Sequence, residues 1–134
     1  MIITKENYAV INTKNINLHD AIFDGVRFEQ SEKRLTVCLR RPDNEQPFEV
    51  QFCGVAGYRL TSMDFWGYDP YVFQFNALPP KEWTLLPTLQ AQMVEPIAVA
   101  SLFETEFLMC SGDTLTIVCN KIIIADENCV VFFL

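Results

Sequence analysis

The chain has one histidine, five glycines and only ten basic side chains among 134 residues, and each scarcity removes a class of chemistry. A phosphate-cradling loop needs closely spaced glycines ahead of a Lys, whereas Gly25, Gly54, Gly57, Gly67 and Gly112 stand singly, which excludes nucleotide hydrolysis by a P-loop. The five cysteines, Cys38, Cys53, Cys110, Cys119 and Cys129, contain no C-x-x-C pair to seed a zinc site. No cofactor is expected. Ten Lys and Arg against seventeen Asp and Glu give a net charge of −7, which repels a phosphate backbone and argues against a nucleic-acid partner. Met1 to Asn7 holds two adjacent isoleucines before charges begin, far short of the ~7 to 15 apolar residues of an export signal. The run Val130 to Leu134 is well below the ~20 residues that span a bilayer, so no membrane association is expected. An odd cysteine count without a signal suits free thiols in a reducing cytosol. The expectation is a cytoplasmic protein.

What is present is apolar surface: hydrophobic residues make up 50% and aromatics 13%, with 20% charged. That is ample to offset the entropy of ordering, and the length suits a single domain over residues 1–134. Period-two alternation dominates. Ile22, Asp24, Val26 and Phe28 alternate with Phe23, Gly25 and Arg27; Leu35, Val37 and Leu39 with Thr36, Cys38 and Arg40; and Phe48, Val50 and Phe52 with Glu49, Gln51 and Cys53. These predict a three-stranded antiparallel meander in which Leu35, Val37 and Leu39 oppose Phe52, Val50 and Phe48. Tyr58 to Ser62, after Gly54 and Gly57, reads as a strand that begins with a bulge. Tyr71, Phe73 and Phe75 define another, and four more follow at 102–110, 114–120, 122–126 and 130–134.

The segment from Lys81 to Glu95 has helical spacing, but Pro87 disfavours helix at Leu86. The expectation is a turn at Lys81 to Leu85 and a short helix near Thr88 to Val94. The fold class is therefore all-β or β-dominated: an antiparallel meander, sandwich or partly open barrel of about 8 to 10 strands with one or two short helical turns. The predicted core is Phe28, Leu35, Val37, Leu39, Phe48, Val50, Phe52, Phe73, Phe75, Leu115, Ile117 and Val131. In the expected registers Cys38 and Cys53, and likewise Cys110 and Cys119, lie four residues apart along their ladders, roughly 13 Å at ~3.3 Å per residue. A disulfide needs Cα atoms within ~7 Å, so neither pair bridges and reductant should leave the melting temperature unchanged. The last strand is apolar on both faces, as in a strand that is covered on both sides or that meets another subunit.

Few residues suggest chemistry. His19, beside Asp20, has the makings of a general base or a metal ligand acting with a carboxylate; the alternative is a strand-entry residue whose ring bonds backbone. Glu104 and Glu106 project from one strand face ~7 Å apart, a glycosidase-like spacing that solvated strands also show. Arg40 and Arg41 read as solvated charge. No catalytic or metal-ligating residue is assigned. The candidate partner-binding residues are Asp64, Phe65, Trp66, Tyr68 and Asp69, in a loop between two strands where large rings favour interface contact and the flanking carboxylates suit a basic partner. The same loop has a second reading, in which its rings cap an open end of the sandwich.

Three stretches, Leu18-His19-Asp20-Ala21, Phe52-Cys53-Gly54-Val55 and Ser111-Gly112-Asp113-Thr114-Leu115-Thr116-Ile117, resemble small uncharacterised bacterial β proteins. Some of these are grouped with the immunity proteins of polymorphic toxin systems. The resemblance covers about half the chain, contains no catalytic motif and implies an interaction protein that blocks a toxin. The other functions in view are a small-ligand binder or enzyme using His19, and a self-associating module joined by the C-terminal strand or the aromatic loop.

Overall fold

The structure, a computed structural model, describes residues 1–13, 16–61, 70–92 and 99–124. The expected strand 130–134, Val131 and Cys129 lie outside the described residues. The fold is β-dominated. Strands β1 (Ile2–Thr4), β2 (Ile22–Glu29), β3 (Arg34–Arg40), β4 (Pro47–Cys53) and β9 (Lys121–Ile124) form an antiparallel five-stranded sheet in the order β1-β9-β4-β3-β2. Strands β5 (Gly57–Leu60), β6 (Val72–Ala77), β7 (Phe103–Met109) and β8 (Thr114–Cys119) form a four-stranded antiparallel sheet in the order β5-β8-β7-β6. The meander pairs as its alternation predicts, with Leu35 opposite Phe52, Val37 opposite Val50 and Leu39 opposite Phe48.

Two junctions hold the sheets together. At the first, β4 runs into β5 and β8 into β9, so one bent ribbon belongs to both sheets. Between the pairs Cys53–Lys121 and Gly57–Val118, residues 54–56 face only residues 119 and 120, and the extra residue turns the corner. Gly54 makes the turn possible: its φ is +60°, and a Cβ there would run into the Asn120 side chain. At the second junction the start of β2 meets the start of β6. Asp20 N–H donates to Val72 O at 2.8 Å, Val72 N–H to Ala21 O at 2.8 Å and Phe23 N–H to Pro70 O at 2.7 Å.

Between the sheets lies one apolar cluster that includes Ile3, Leu35, Val37, Leu39, Phe48, Val50, Phe52, Phe75, Phe107, Leu115, Ile117 and Ile122. Phe52 and Phe107 meet edge-on at 6.0 Å, and Phe75 stacks on Phe107 at 4.3 Å. Two expected core residues are not in it: Phe28 is 39% exposed and Phe73 is 44% exposed. A bulge accounts for Phe73, whereas Phe28 sits opposite the buried Leu35 and owes its exposure to its place on an edge strand. In β6 the register shifts between Val72 and Gln74, making Phe73 the extra residue, so Val72 faces inward and Phe73 outward. In β2 the register shifts between Phe23 and Gly25, and this edge strand ends with Phe28 against the Tyr58 ring at 5.4 Å, on the open rim between the sheets.

The outer face of the four-stranded sheet is covered by helix α1 (Leu85–Gln92), whose Leu85 and Leu86 pack with Leu102 and Val118. The helix starts earlier than the sequence suggests. Pro87 falls in its first turn, where an N–H has no intrahelical partner in any case, so Leu86 stays helical. The β7–β8 hairpin is also tighter than expected: Phe103 opposes Cys119 and Leu108 opposes Thr114, with Cys110 in the turn. Cys110 and Cys119 are thus even farther apart along the ladder than the expected register put them. Cys38, Cys53 and Cys119 are free thiols.

Candidate functional site

The aromatic loop carrying Asp64, Phe65, Trp66, Tyr68 and Asp69 lies outside the described residues; its two stems are described. On one side Thr61 donates its hydroxyl to Asp113 Oδ1 at 2.8 Å, and Ser111 Oγ donates to Asp113 Oδ2 at 2.9 Å. On the other, the Tyr71 carbonyl accepts the Cys110 N–H at 2.9 Å. Both stems are therefore tied to the β7–β8 turn, a rigid base of the kind on which recognition loops stand. Directly after the second stem, Tyr71 and Phe73 flank the buried Val72, and both rings are 44% exposed.

Beside Phe73 a cleft of about 420 Å³ opens between β6 and residues 11–13 and 16–19. A short 3₁₀ turn (Tyr8–Asn12) leads into it. Asn12 sits across from the end of β6, its Nδ2 donating to Ala77 O at 3.0 Å while its Oδ1 accepts the Ala77 N–H at 2.9 Å. At the other end His19 Nδ1 stands 2.8 Å from Phe73 O. A carbonyl only accepts, so Nδ1 carries a proton there and the ring is held by backbone. Its Nε2 is 3.5 Å from Asp20 Oδ1, and the ring lies edge-on to Phe73 with centroids 5.8 Å apart. His19 and a carboxylate are thus brought together at a cleft, on a ring that also has a structural task.

The two glutamates separate. Glu104 is fully buried: its Oε1 accepts the Leu86 N–H at 2.9 Å and its Oε2 the Thr84 N–H at 3.1 Å. It occupies the N-terminus of α1, where a carboxylate satisfies orphan donors and opposes the helix dipole. The expected solvated pair is therefore corrected, because the helix covers that part of the sheet. Glu106 remains half-buried, and loss of hydration, reinforced by Glu104 and Glu82 and opposed by Arg59, raises its carboxyl above the ordinary range. Burial likewise pushes the Cys119 thiol well above the usual range, which suppresses the reactive thiolate. Arg40 is not merely solvated: its Nε and Nη2 grip Asp24 at 2.7 and 3.0 Å, fixing the bulged residue of β2.

Among the described residues no group of three or more His, Cys, Asp or Glu side chains is placed to hold a metal ion, and no helix is long and apolar enough to cross a membrane. Sequence reasoning missed Asn12 and the outward turn of Phe73. Nothing in the local pattern marks an asparagine that bonds a strand 65 residues away.

No protein-family model matches the chain, and no curated protein matches it. A solved structure to which it is similar is the crystal structure of an uncharacterized protein from Neisseria gonorrhoeae, with a TM-score of 0.45 and 14% sequence identity over 81% of this chain and 92% of that one.

Proposed function

We propose that this is a non-catalytic binding protein whose partner is another protein with a basic surface, in the manner of an immunity-type inhibitor of a toxin. The observation that carries the reading is the exposed pair Tyr71 and Phe73, turned outward by the β6 bulge at the foot of the aromatic loop. Aromatic side chains on a strand lose little freedom when a partner covers them, and such rings dominate interface energies. The net charge of −7 accelerates encounter with a basic partner and disfavours nucleic acid and anionic membrane surfaces. The groups with catalytic potential support the same reading, since Glu104 holds a helix end, Cys119 is buried and His19 is engaged by a carbonyl. Action on a cytoplasmic target belongs to this proposal.

The test is co-expression with toxins encoded beside its gene, comparing the protein with its Phe73→Ala and Trp66→Ala variants. Protection by the parent, lost in a variant that melts within a few degrees of it, is the expected result. A parent that protects against none of them would reject this function, and variants that protect as well as the parent would reject the aromatic surface as its contact.

A further inference from the structure

Both sheets end along one side of the sandwich, where β2 closes the five-stranded sheet and β5 the four-stranded one among the described residues. Phe28 projects from β2 on the same face as Leu35 opposite it, toward the gap between the sheets. Tyr58 and Leu60 project toward that gap from β5, on the face of Ile117 and Leu115. Each of the three is 39% exposed, and the Phe28 and Tyr58 rings meet at 5.4 Å. Edge strands are usually blunted against pairing, and β2 is blunted over its first half only. That half carries the bulge at Asp24, the Arg40 clamp on the same residue and the bond from Phe23 N–H to Pro70 O. From Val26 to Glu29 the register against β3 is regular, and Arg27 and Phe28 are exposed.

The charges on this stretch name its occupant. A second copy of β2 can lie antiparallel beside the first about a two-fold axis, which must pass through a residue, because an axis between residues would set inward side chains against outward ones. Axes nearer the start of the strand run into the bulge. With Arg27 on the axis two guanidinium groups oppose each other, and with Glu29 on it two carboxylates do. With Phe28 on it, Arg27 of each copy faces Glu29 of the other, twice by symmetry, and the two Phe28 rings meet in the gap with a Tyr58 ring behind each. Arg27 already stands 3.6 Å from Glu49, so the join would extend an existing row of alternating charge. We propose that this chain forms a two-fold dimer by antiparallel pairing of β2 with β2 of a second copy, centred on Phe28, which joins two five-stranded sheets into one and closes both rims. A net charge of −7 on each copy opposes the association, and the paired stretch is short, so the dimer is a weak one.

The test is sedimentation equilibrium of the full chain, carried to millimolar concentration, where a monomer–dimer equilibrium is the expected result. Arg27→Glu and Glu29→Arg each turn both cross-strand pairs into like charges and should weaken the dimer about tenfold or more. In an equimolar mixture of the two variants opposite charges face each other again, so the mixture should dimerise as well as the parent, which damage to the fold would not allow. A parent that stays monomeric throughout overturns the proposal. A parent dimer that both variants leave intact places the join elsewhere, at the aromatic loop or the C-terminal segment, and overturns it too, as does a mixture no better associated than its parts. The register has its own check. Phe28→Cys sets two thiols opposite each other with Cα atoms ~4.5 to 5.5 Å apart, within reach of a disulfide, so mild oxidation should link residue 28 to residue 28 in peptide mapping. A variant that still dimerises but links only through other cysteines defeats the assignment. Toxin protection is a separate readout, so either proposal can fail alone.

Discussion

On β4 of the five-stranded sheet, buried Phe48, Val50 and Phe52 alternate with exposed Glu49 and half-buried Gln51, whereas on β7 of the four-stranded sheet Phe103, Glu104 and Thr105 are buried in succession. The difference lies in what covers the outer face. The outer face of β4 at Glu49 is open to solvent, and Glu49 pairs with Arg27 at 3.6 Å with both side chains about half exposed. Over β7 and β8 lies α1, so a polar residue pointing outward from that sheet is desolvated and either finds a fixed partner or pays for lacking one. Glu104 finds two helix N–H groups. Thr116 is 1% exposed, and its hydroxyl has no partner among the described residues.

Substitutions can break or sharpen this contrast. The largest effect should come from the shared interior: Phe107→Ala is expected to cost about 3 to 5 kcal/mol in chemical denaturation, and Phe28→Ala, on the open rim, about 1 kcal/mol or less. Equal losses would show that the rim is as buried as the centre. Next, Glu104→Ala should cost about 2 to 3 kcal/mol by stranding two helix donors, and Glu104→Gln about half of that, while Glu49→Ala stays within about 0.5 kcal/mol. A neutral Glu104→Ala would remove the carboxylate from any part in holding the helix.

Thr116→Val tests the same covered face with the opposite sign, since replacing an unbonded buried hydroxyl with a methyl should raise stability by about 1 kcal/mol. A clear loss would reveal a partner for the hydroxyl. The smallest effect is at Glu106. Its folded pKa is raised, so its contribution to stability is fully present below the unfolded carboxyl value and is lost as pH rises through the folded one. Glu106→Gln should therefore stabilise the protein at neutral pH, by less than about 1 kcal/mol because the group is half-exposed and screened. That gain should vanish on titration into the acid range; a gain that persists at low pH would point to packing instead of charge.

The same contrast explains what could be read from the residues alone. Where one face meets water, alternation is strict, and the register of Leu35, Val37 and Leu39 against Phe52, Val50 and Phe48 followed from it. Bulges interrupt that logic, because one extra residue exchanges the faces without altering the composition; Tyr71, Phe73 and Phe75 look like one face and are not. Coverage of the outer face was hidden too, since Glu104 and Glu106 have the same spacing whether water or a helix lies over them. His19 held by backbone was foreseeable from its isolation.

Strand β9 lies between β4 and β1, and β1 has no other strand partner among the described residues. As the chain is synthesised from its N-terminus, the first strand made must wait for the last described one. Until then β4 offers an unpaired edge beside a finished meander. At ~5 to 20 residues per second, the interval between Cys53 and Ile124 lasts roughly 4 to 14 seconds. During that time an open edge with Phe48, Val50 and Phe52 behind it is available to chaperones or to a neighbouring nascent copy, which makes the delay in supplying β9 the point at which assembly of this protein is most exposed to error.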